Sequence, residues 1–215
     1  MAKRPVFVTL SESPFWKEEL IEFEWHKGLS KTQKQKNVLA MHDSFKNTFP
    51  EMSVLEISSK SLQPGGAELS AFSLKKYVPS LNTSIPVECI YQGGKVFCNG
   101  GPYLDLYLSS PKNAKTDGRL QESGELYEYF YETKSYPTKP PYAFYNYIYI
   151  MALKENPDLA TVLLDYAAFT DIEFGYNTGG INCQARAAAQ YVSFVKLGLI
   201  ERVVSFESYV QLLTG

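Results

Sequence analysis

Three polar side chains interrupt an otherwise apolar or small stretch, Pro86-Val-Glu-Cys-Ile-Tyr-Gln-Gly-Gly-Lys-Val-Phe97: a carboxylate at Glu88, an amide at Gln92 and an amine at Lys95. A carboxylate and an amine together can serve general acid–base or nucleophilic chemistry. A helix beginning at Pro86 would turn about 100° per residue and bring all three within about 60° of one another. Val87 and Tyr91 flank this stripe, while Ile90, Gly93, Gly94 and Phe97 occupy the back, so the spacing predicts a buried helix with one polar face. A buried ammonium needs a partner, and Glu88 with Gln92 between can supply one. Glu88 and Lys95 would lie about 10 Å apart along the axis, too far for a direct helical ion pair. The plainer reading is a half-exposed helix whose polar stripe faces water. Against it stand the paired glycines, each of which costs about 1 kcal/mol relative to Ala inside a helix and marks the close approach of another backbone or a ligand.

The rest of the chain must position that stripe. Its 215 residues suffice for one sizeable core and predict a single domain. Hydrophobic content of 45% and charged content of 20% are those of an ordinary globular protein. No apolar run approaches the roughly 18 residues of a membrane span. The opening Met-Ala-Lys-Arg-Pro-Val-Phe-Val has no long apolar stretch behind its basic pair, so no secretory signal is expected and the expected compartment is cytoplasmic. Cys89, Cys98 and Cys183 are expected on buried segments. Without CxxC spacing, and with His26 and His42 the only histidines, neither a disulfide framework nor a metal site is expected.

A net charge of −2 argues against broad non-specific affinity for nucleic acid. The stretch HKGLSKTQKQKN (26–37) is a local exception, carrying Lys27, Lys31, Lys34 and Lys36 without an acid. A solvated helix start and a contact to backbone phosphates are both open there. Tyrosine is abundant, at 16 residues, and the cluster from Tyr127 through Tyr129, Tyr131, Tyr136, Tyr142, Tyr145 and Tyr147 to Tyr149 reads as core with an amphipathic rim. Base stacking by one or two of these rings is the alternative.

Strict alternation over residues 19–26 predicts a half-buried strand with Ile21, Phe23 and Trp25 inward. Ser30 is placed to cap a helix over 31–45 whose inner face is Val38, Met41, His42 and Phe45. Strands are expected over 53–58 and 69–78, separated by a donor-rich loop, 59–66, that can hold an anion. Ser110 and Pro111 open a short helix ending near Gly118, and 125–132 reads as a strand. After a proline-rich connector, 136–141, come helices over 142–154 and 157–166, the second capped by Asn156. The glycine-rich turn GYNTGG (175–180) delivers its N–H groups to an alanine-rich helix over 182–197, a place for phosphate or carboxylate that matches neither a Walker nor a Rossmann pattern. Ser205 caps a last helix to Leu213. Short strands mixed unevenly with helices predict an α+β fold, compact and mostly helical, around a small mixed sheet.

Several of these pieces resemble the NADAR family, whose members act on NAD- or ADP-ribose-related N-glycosides. LSAF (69–72), VECIYQGGKVF (87–97) and PKNAKTDGR (111–119) are similar, in the same order, to the family's LSNF, TVEHxFQxxK and PxxAKxLGR. ENPDLATVLLDYAAFTDIEF (155–174) and GGIN (179–182) resemble its later motifs. Together they cover about residues 53–197, with 1–52 as an N-terminal strand and helix elaboration and 198–215 as a closing helix. The flanking MAKRPVFV, FEWHKG, KTQKQKN, EISSKS and GGPYLDLY look like the antitoxin subgroup paired with DarT toxins. One departure stands out. Many relatives follow the glutamate matching Glu173 with Trp-Gly, whereas this chain reads Glu173-Phe174-Gly175, so Phe174 either takes the stacking place or leaves that wall absent.

The resemblance implies an enzyme that removes ADP-ribose from guanine bases of single-stranded DNA, undoing a DarT-type toxin's modification without cofactor, metal or membrane. It puts the family's motif residues on Glu88, Gln92 and Lys95. Cleavage of an N-glycosidic bond develops oxocarbenium-like charge at the ribose C1″ and negative charge on the base. Glu88 is expected to stabilise the first. Lys95 either binds phosphate or protonates the leaving group as an ammonium, or attacks C1″ as a neutral amine, the preferred role. Glu173 is expected to be a second acid–base group. Ser59, Lys60, Ser61, Ser70 and Phe72 are expected on the ADP-ribose side, with Phe174, Gly180 and Asn182 approaching from the other and Tyr103 and Asp105 completing the set; loop capping and core packing are their plain alternatives. Two other functions are open: an N-glycosidase for a small phosphorylated riboflavin-pathway intermediate, and a non-catalytic ADP-ribose-binding module. A structural protein without ADP-ribose binding is the residual reading.

Overall fold

A computed structural model describes residues 1–175 and 182–214. In chain order the elements are β1 (Ala2–Thr9), β2 (Trp16–Phe23), α1 (Lys31–Thr48), β3 (Val54–Glu56), β4 (Lys75–Val78), β5 (Thr83–Pro86), α2 (Val87–Gly93), β6 (Lys95–Phe97), α3 (Pro111–Lys115), α4 (Arg119–Glu122), β7 (Leu126–Tyr131), β8 (Lys134–Pro137), α5 (Ala143–Glu155), α6 (Pro157–Thr161), β9 (Ala168–Thr170), α7 (Gln184–Lys196) and α8 (Phe206–Thr214). The fold is α+β. Its contacts group into two units, Met1–Ser70 with Pro157–Gly215, and Ala71–Asn156. Among the described residues no helix is long and apolar enough to cross a membrane.

The first unit is built on a mixed sheet in the order β2-β1-β9-β3. β1 runs antiparallel to β2 from Ala2↔Phe23 to Thr9↔Trp16 and antiparallel to β9 at Phe7↔Phe169, while β3 lies parallel to β9. Val6, Phe7 and Val8 are all buried, as are all three residues of β3 and of β9. Strands covered on both faces carry no alternation, which is why a period-two reading finds β2 and passes over β1 and β9. Phe45 of α1 packs with Val6, Val8, Ile21, Val54 and Ala168, and Val38 and Met41 pack with Phe23 and Ile172. Each such apolar side chain contributes roughly 1.5–3 kcal/mol on leaving water. α1 starts where expected, the Ser30 hydroxyl accepting from the Gln33 N–H at 3.2 Å.

The second unit contains the β4–β5 hairpin, α2, the antiparallel sheet β6-β7-β8, and α5. Tyr129, Tyr131, Tyr136, Tyr145, Tyr147 and Tyr149 are buried, and Tyr129 stacks on Phe144 with centroids 4.5 Å apart. Tyr127, 68% exposed, stands outside that core.

Several expected boundaries move. The helix expected through residue 97 stops at Gly93, and residues 95–97 become β6, with Lys95 opposite Tyr129. Capture by β7 causes this: the Phe130 N–H donates to the Gly94 carbonyl at 2.6 Å, and a Cβ on Gly94 would sit 2.5 Å from the Phe130 oxygen. Only glycine admits that approach. The strand expected over 69–78 shortens to β4, because Leu69 and Ser70 donate back to Gly65 and Ala67 in turns. Tyr136 and Pro137 of the expected connector belong to β8. Cys98, expected buried, is exposed, since it sits in the turn after β6.

Candidate functional site

In the second unit, α2 delivers the polar stripe. Its first turn is anchored by the Val87 and Glu88 N–H groups, each donating at 2.9 Å to Leu74 and Ala71. Glu88 and Gln92, four residues apart, face the same side and are 6% and 7% exposed. The Gln92 amide bridges the two charges: its Nε2 donates to Glu88 Oε1 at 2.9 Å, and its Oε1 accepts from Lys95 Nζ at 2.7 Å. The partner expected between Glu88 and Lys95 is therefore Gln92, even though Lys95 has left the helix. Lys95 Nζ also stands 4.7 Å over the Tyr91 ring, whose hydroxyl meets that of Tyr129 at 3.2 Å. Burial pushes the Lys95 amine down to about 8; the charge of Glu88 opposes this and that of Lys115 adds to it. Such an amine is neutral often enough near physiological pH to act as a nucleophile, and it sits beside a carboxylate able to face developing positive charge.

A second polar cluster forms in the first unit around Glu173. Lys34 Nζ donates to its Oε1 at 2.8 Å, and Lys60 Nζ and Ser59 Oγ each reach its Oε2 at 3.2 Å. Lys60 also bonds Ser59 Oγ. Burial alone would raise the Glu173 carboxyl, but Lys34 and Lys60 outweigh it and hold the group below its ordinary value. Glu173 is thus an ionised acceptor, suited to a base or electrostatic role rather than to proton donation.

Beneath this cluster lies Glu56, fully buried at the end of β3. Its carboxyl receives Ser58 Oγ at 2.5 Å, the Ile172 N–H at 2.9 Å, and Thr170 Oγ1 at 2.6 Å; Thr170 in turn meets His42 Nε2 at 2.8 Å. Ser58 Oγ also accepts from the Lys60 N–H at 3.1 Å. One carboxyl therefore pins both the segment bearing Ser59 and Lys60 and the segment bearing Glu173. Burial pushes Glu56 up against the pull of those three donors, and burial with the charge of Lys46 pushes His42 down to about 4.

The remaining expected residues fall into plainer settings. Ser61 turns into its own loop, accepting from the Gln63 N–H at 3.2 Å, and Gly66 packs so tightly there that a Cβ would lie 2.1 Å from Ser61 Oγ. Ser70 is buried and donates to the Ala67 carbonyl at 2.7 Å. Phe72 is 36% exposed with the Lys115 ammonium 5.4 Å from its centroid. Phe174 is buried, with the Phe7 ring edge-on to it at 6.1 Å. Asn182 directly precedes Cys183, the N-cap of α7, while Gly180 and most of the 175–180 turn lie outside the described residues. Tyr103 and Asp105 both hold Arg119: the guanidinium lies 4.4 Å over the Tyr103 ring and forks onto Asp105 at 2.7 and 3.3 Å, with Asp117 on its other edge.

Residue typing alone passed over Lys34 as a partner of Glu173, Glu56 as a pin, and Arg119 as the hub of its cluster. Arg119 ends the PKNAKTDGR motif, a signal that was within reach. Among the described residues no group of three or more His, Cys, Asp or Glu side chains is placed to hold a metal ion. A family model described as the DarT1-associated NADAR antitoxin matches residues 2–215. No curated protein matches the chain.

Proposed function

The chain belongs to the family of DarT1-associated NADAR antitoxins, and from that membership we propose that it is an N-glycosidase removing ADP-ribose from guanine bases of single-stranded DNA. The observation that carries the reading is the setting of Lys95, a half-buried amine held by Gln92 beside the Glu88 carboxylate and lowered to about 8. The neutral amine attacks C1″ of the modified guanine's ADP-ribose. As the C1″–Nζ bond forms, the glycosidic bond breaks and its electron pair leaves with the base, which takes up a proton. Opening of the sugar gives a Schiff base, and water then releases ADP-ribose and restores the amine. Glu88 stabilises the positive charge at C1″, and Gln92 holds amine and carboxylate in register. Asp105 and Tyr103 act indirectly, by fixing Arg119 as a fork for substrate oxygens. The reaction product is ADP-ribose, and the modification it reverses is that of a DNA-modifying toxin of the DarT type.

The test pairs wild type with Lys95→Ala on a short single-stranded DNA carrying guanine-linked ADP-ribose, read by mass spectrometry. Wild type is expected to restore the unmodified strand and Lys95→Ala to leave it modified. Borohydride added during turnover is expected to trap a sugar adduct on wild type alone, and kcat/KM is expected to rise with pH through about 8 as Lys95 loses its proton. Turnover with no adduct would remove the nucleophile and leave direct attack by water.

A further inference from the structure

The lysines of α1 form an ordered feature that the chemistry at Lys95 does not use. From residue 25 to residue 42 the chain carries Lys27, Lys31, Lys34 and Lys36 and no acid. Helical rotation separates them into two faces. Lys31 and Lys34 lie within about 60° of each other, while Lys36 lies about 140–160° round from both. The Lys34 face meets Glu173, and Lys60 arrives at the same carboxylate from the loop after β3. The loop carrying Lys27 is strapped to the helix by two side-chain amides. Buried Asn37 accepts from the His26 N–H at 2.7 Å and donates to its carbonyl at 3.0 Å, and Gln33 Nε2 donates to the Lys27 carbonyl at 2.9 Å. Gly28, at φ +134, allows the chain to double back there, where a Cβ would meet Gln33 Cγ at 2.9 Å. Lys27 and Lys31 remain exposed. Lys34 and Lys60 thus share the one carboxylate of Glu173, while Lys27 and Lys31 stand exposed on a stretch without an acid, in a chain whose overall charge is −2.

We propose that Lys27, Lys31, Lys34 and Lys60 form a phosphate-binding strip that holds the backbone of the DNA strand carrying the modified base. The inference rests on the DNA reading above and names the surface that distinguishes a strand from an isolated nucleoside. Charge complementarity selects the occupant: a local surplus of cations suits a polyanion, whose binding is driven by release of its counterions and weakens as salt rises.

The experiment compares the full-length wild type, the double variant Lys27→Gln/Lys31→Gln, and Lys36→Gln on two substrates: a single-stranded oligonucleotide bearing one ADP-ribosylated guanine, and the ADP-ribosylated deoxyguanosine alone. The ratio of kcat/KM for oligonucleotide over nucleoside is expected to fall about tenfold in the double variant and to stay at the wild-type value in Lys36→Gln. The log–log salt dependence on the oligonucleotide is expected to flatten by about 1.4, the contribution of two single-strand phosphate contacts. An unchanged ratio and salt slope in the double variant overturns the strip, as does an equal loss on both substrates, which would assign these lysines to the ADP-ribose phosphates or to folding. Fluorescence anisotropy of an unmodified labelled strand separates strand binding from glycosidase activity. If wild type turns over neither substrate yet binds the strand more tightly than the double variant does, the glycosidase reading fails and the strip stands; if the two bind alike, the strip fails regardless of turnover.

Discussion

At the scale of single residues, the proposed chemistry turns on one amide. Gln92 donates to a carboxylate and accepts from an amine, a task that neither an ionised Glu nor Leu could perform, since the amide carries a donor and an acceptor at one side-chain end and they carry no donor. It lets Lys95 and Glu88 share a buried patch without direct contact, so the amine keeps a lowered proton affinity that a direct ion pair would have abolished. Replacing Glu88 with Gln preserves the hydrogen bond from Gln92 but removes the charge that opposes the shift of Lys95. The alkaline-side rise in kcat/KM is then expected to move to lower pH, while the plateau rate falls about 10²-fold because the positive charge at C1″ loses its counter-charge. A pH–rate profile of Glu88→Gln checks both. A plateau that drops while the rise stays in place would mean that the charge of Glu88 does not reach Lys95.

At the scale of elements, α1, β3 and β9 are joined by the buried chain His42, Thr170, Glu56 and Ser58. Its energetic weight comes from the cost of leaving buried polar groups unmade, which exceeds the net gain of making them. The folded-state value of His42, about 4, lies below the ordinary 6.5, so the unfolded chain takes up the proton first. The neutral ring's contribution is whole above pH 6.5 and is lost as pH falls toward 4. His42→Gln replaces the ring by an amide that can still donate to Thr170 and does not titrate. The stability advantage of wild type over this variant is therefore expected to shrink by about 2 kcal/mol between pH 7.5 and pH 5. Urea unfolding at the two pH values measures it, and a constant difference would mean that His42 is not the titrating group.

At the scale of the whole molecule, the first unit is assembled from both ends of the chain, with Ala71–Asn156 inserted between them. β1 makes that closure, pairing with β2 on one side and with β9, from the far segment, on the other. Phe7 sits at the junction, fully buried, with Trp16 at 5.9 Å, Phe174 at 6.1 Å and the Arg186 guanidinium 6.0 Å from its ring. Phe7→Ala is expected to cost about 3–5 kcal/mol in denaturant unfolding, since a ring-sized cavity would open between segments that no local contact can close. A loss below about 1 kcal/mol would mean that the surrounding side chains collapse into the space.

The sequence by itself determined the elements and groups whose signals are local. The cap at Ser30, the inner face of α1, the alternation in β2, and the companionship of Glu88, Gln92 and Lys95 all follow from side-chain type and spacing within a few residues. The NADAR motifs were legible for the same reason, each being a short run. Tertiary structure decided what depends on partners far along the chain. Lys95 leaves the helix because Phe130 takes the Gly94 carbonyl. Lys34 finds Glu173 across a separation of 139 residues, and Glu56 finds Thr170 across 114. Periodicity carries no record of such pairings, which are selected when a buried donor or acceptor must find the one group within reach.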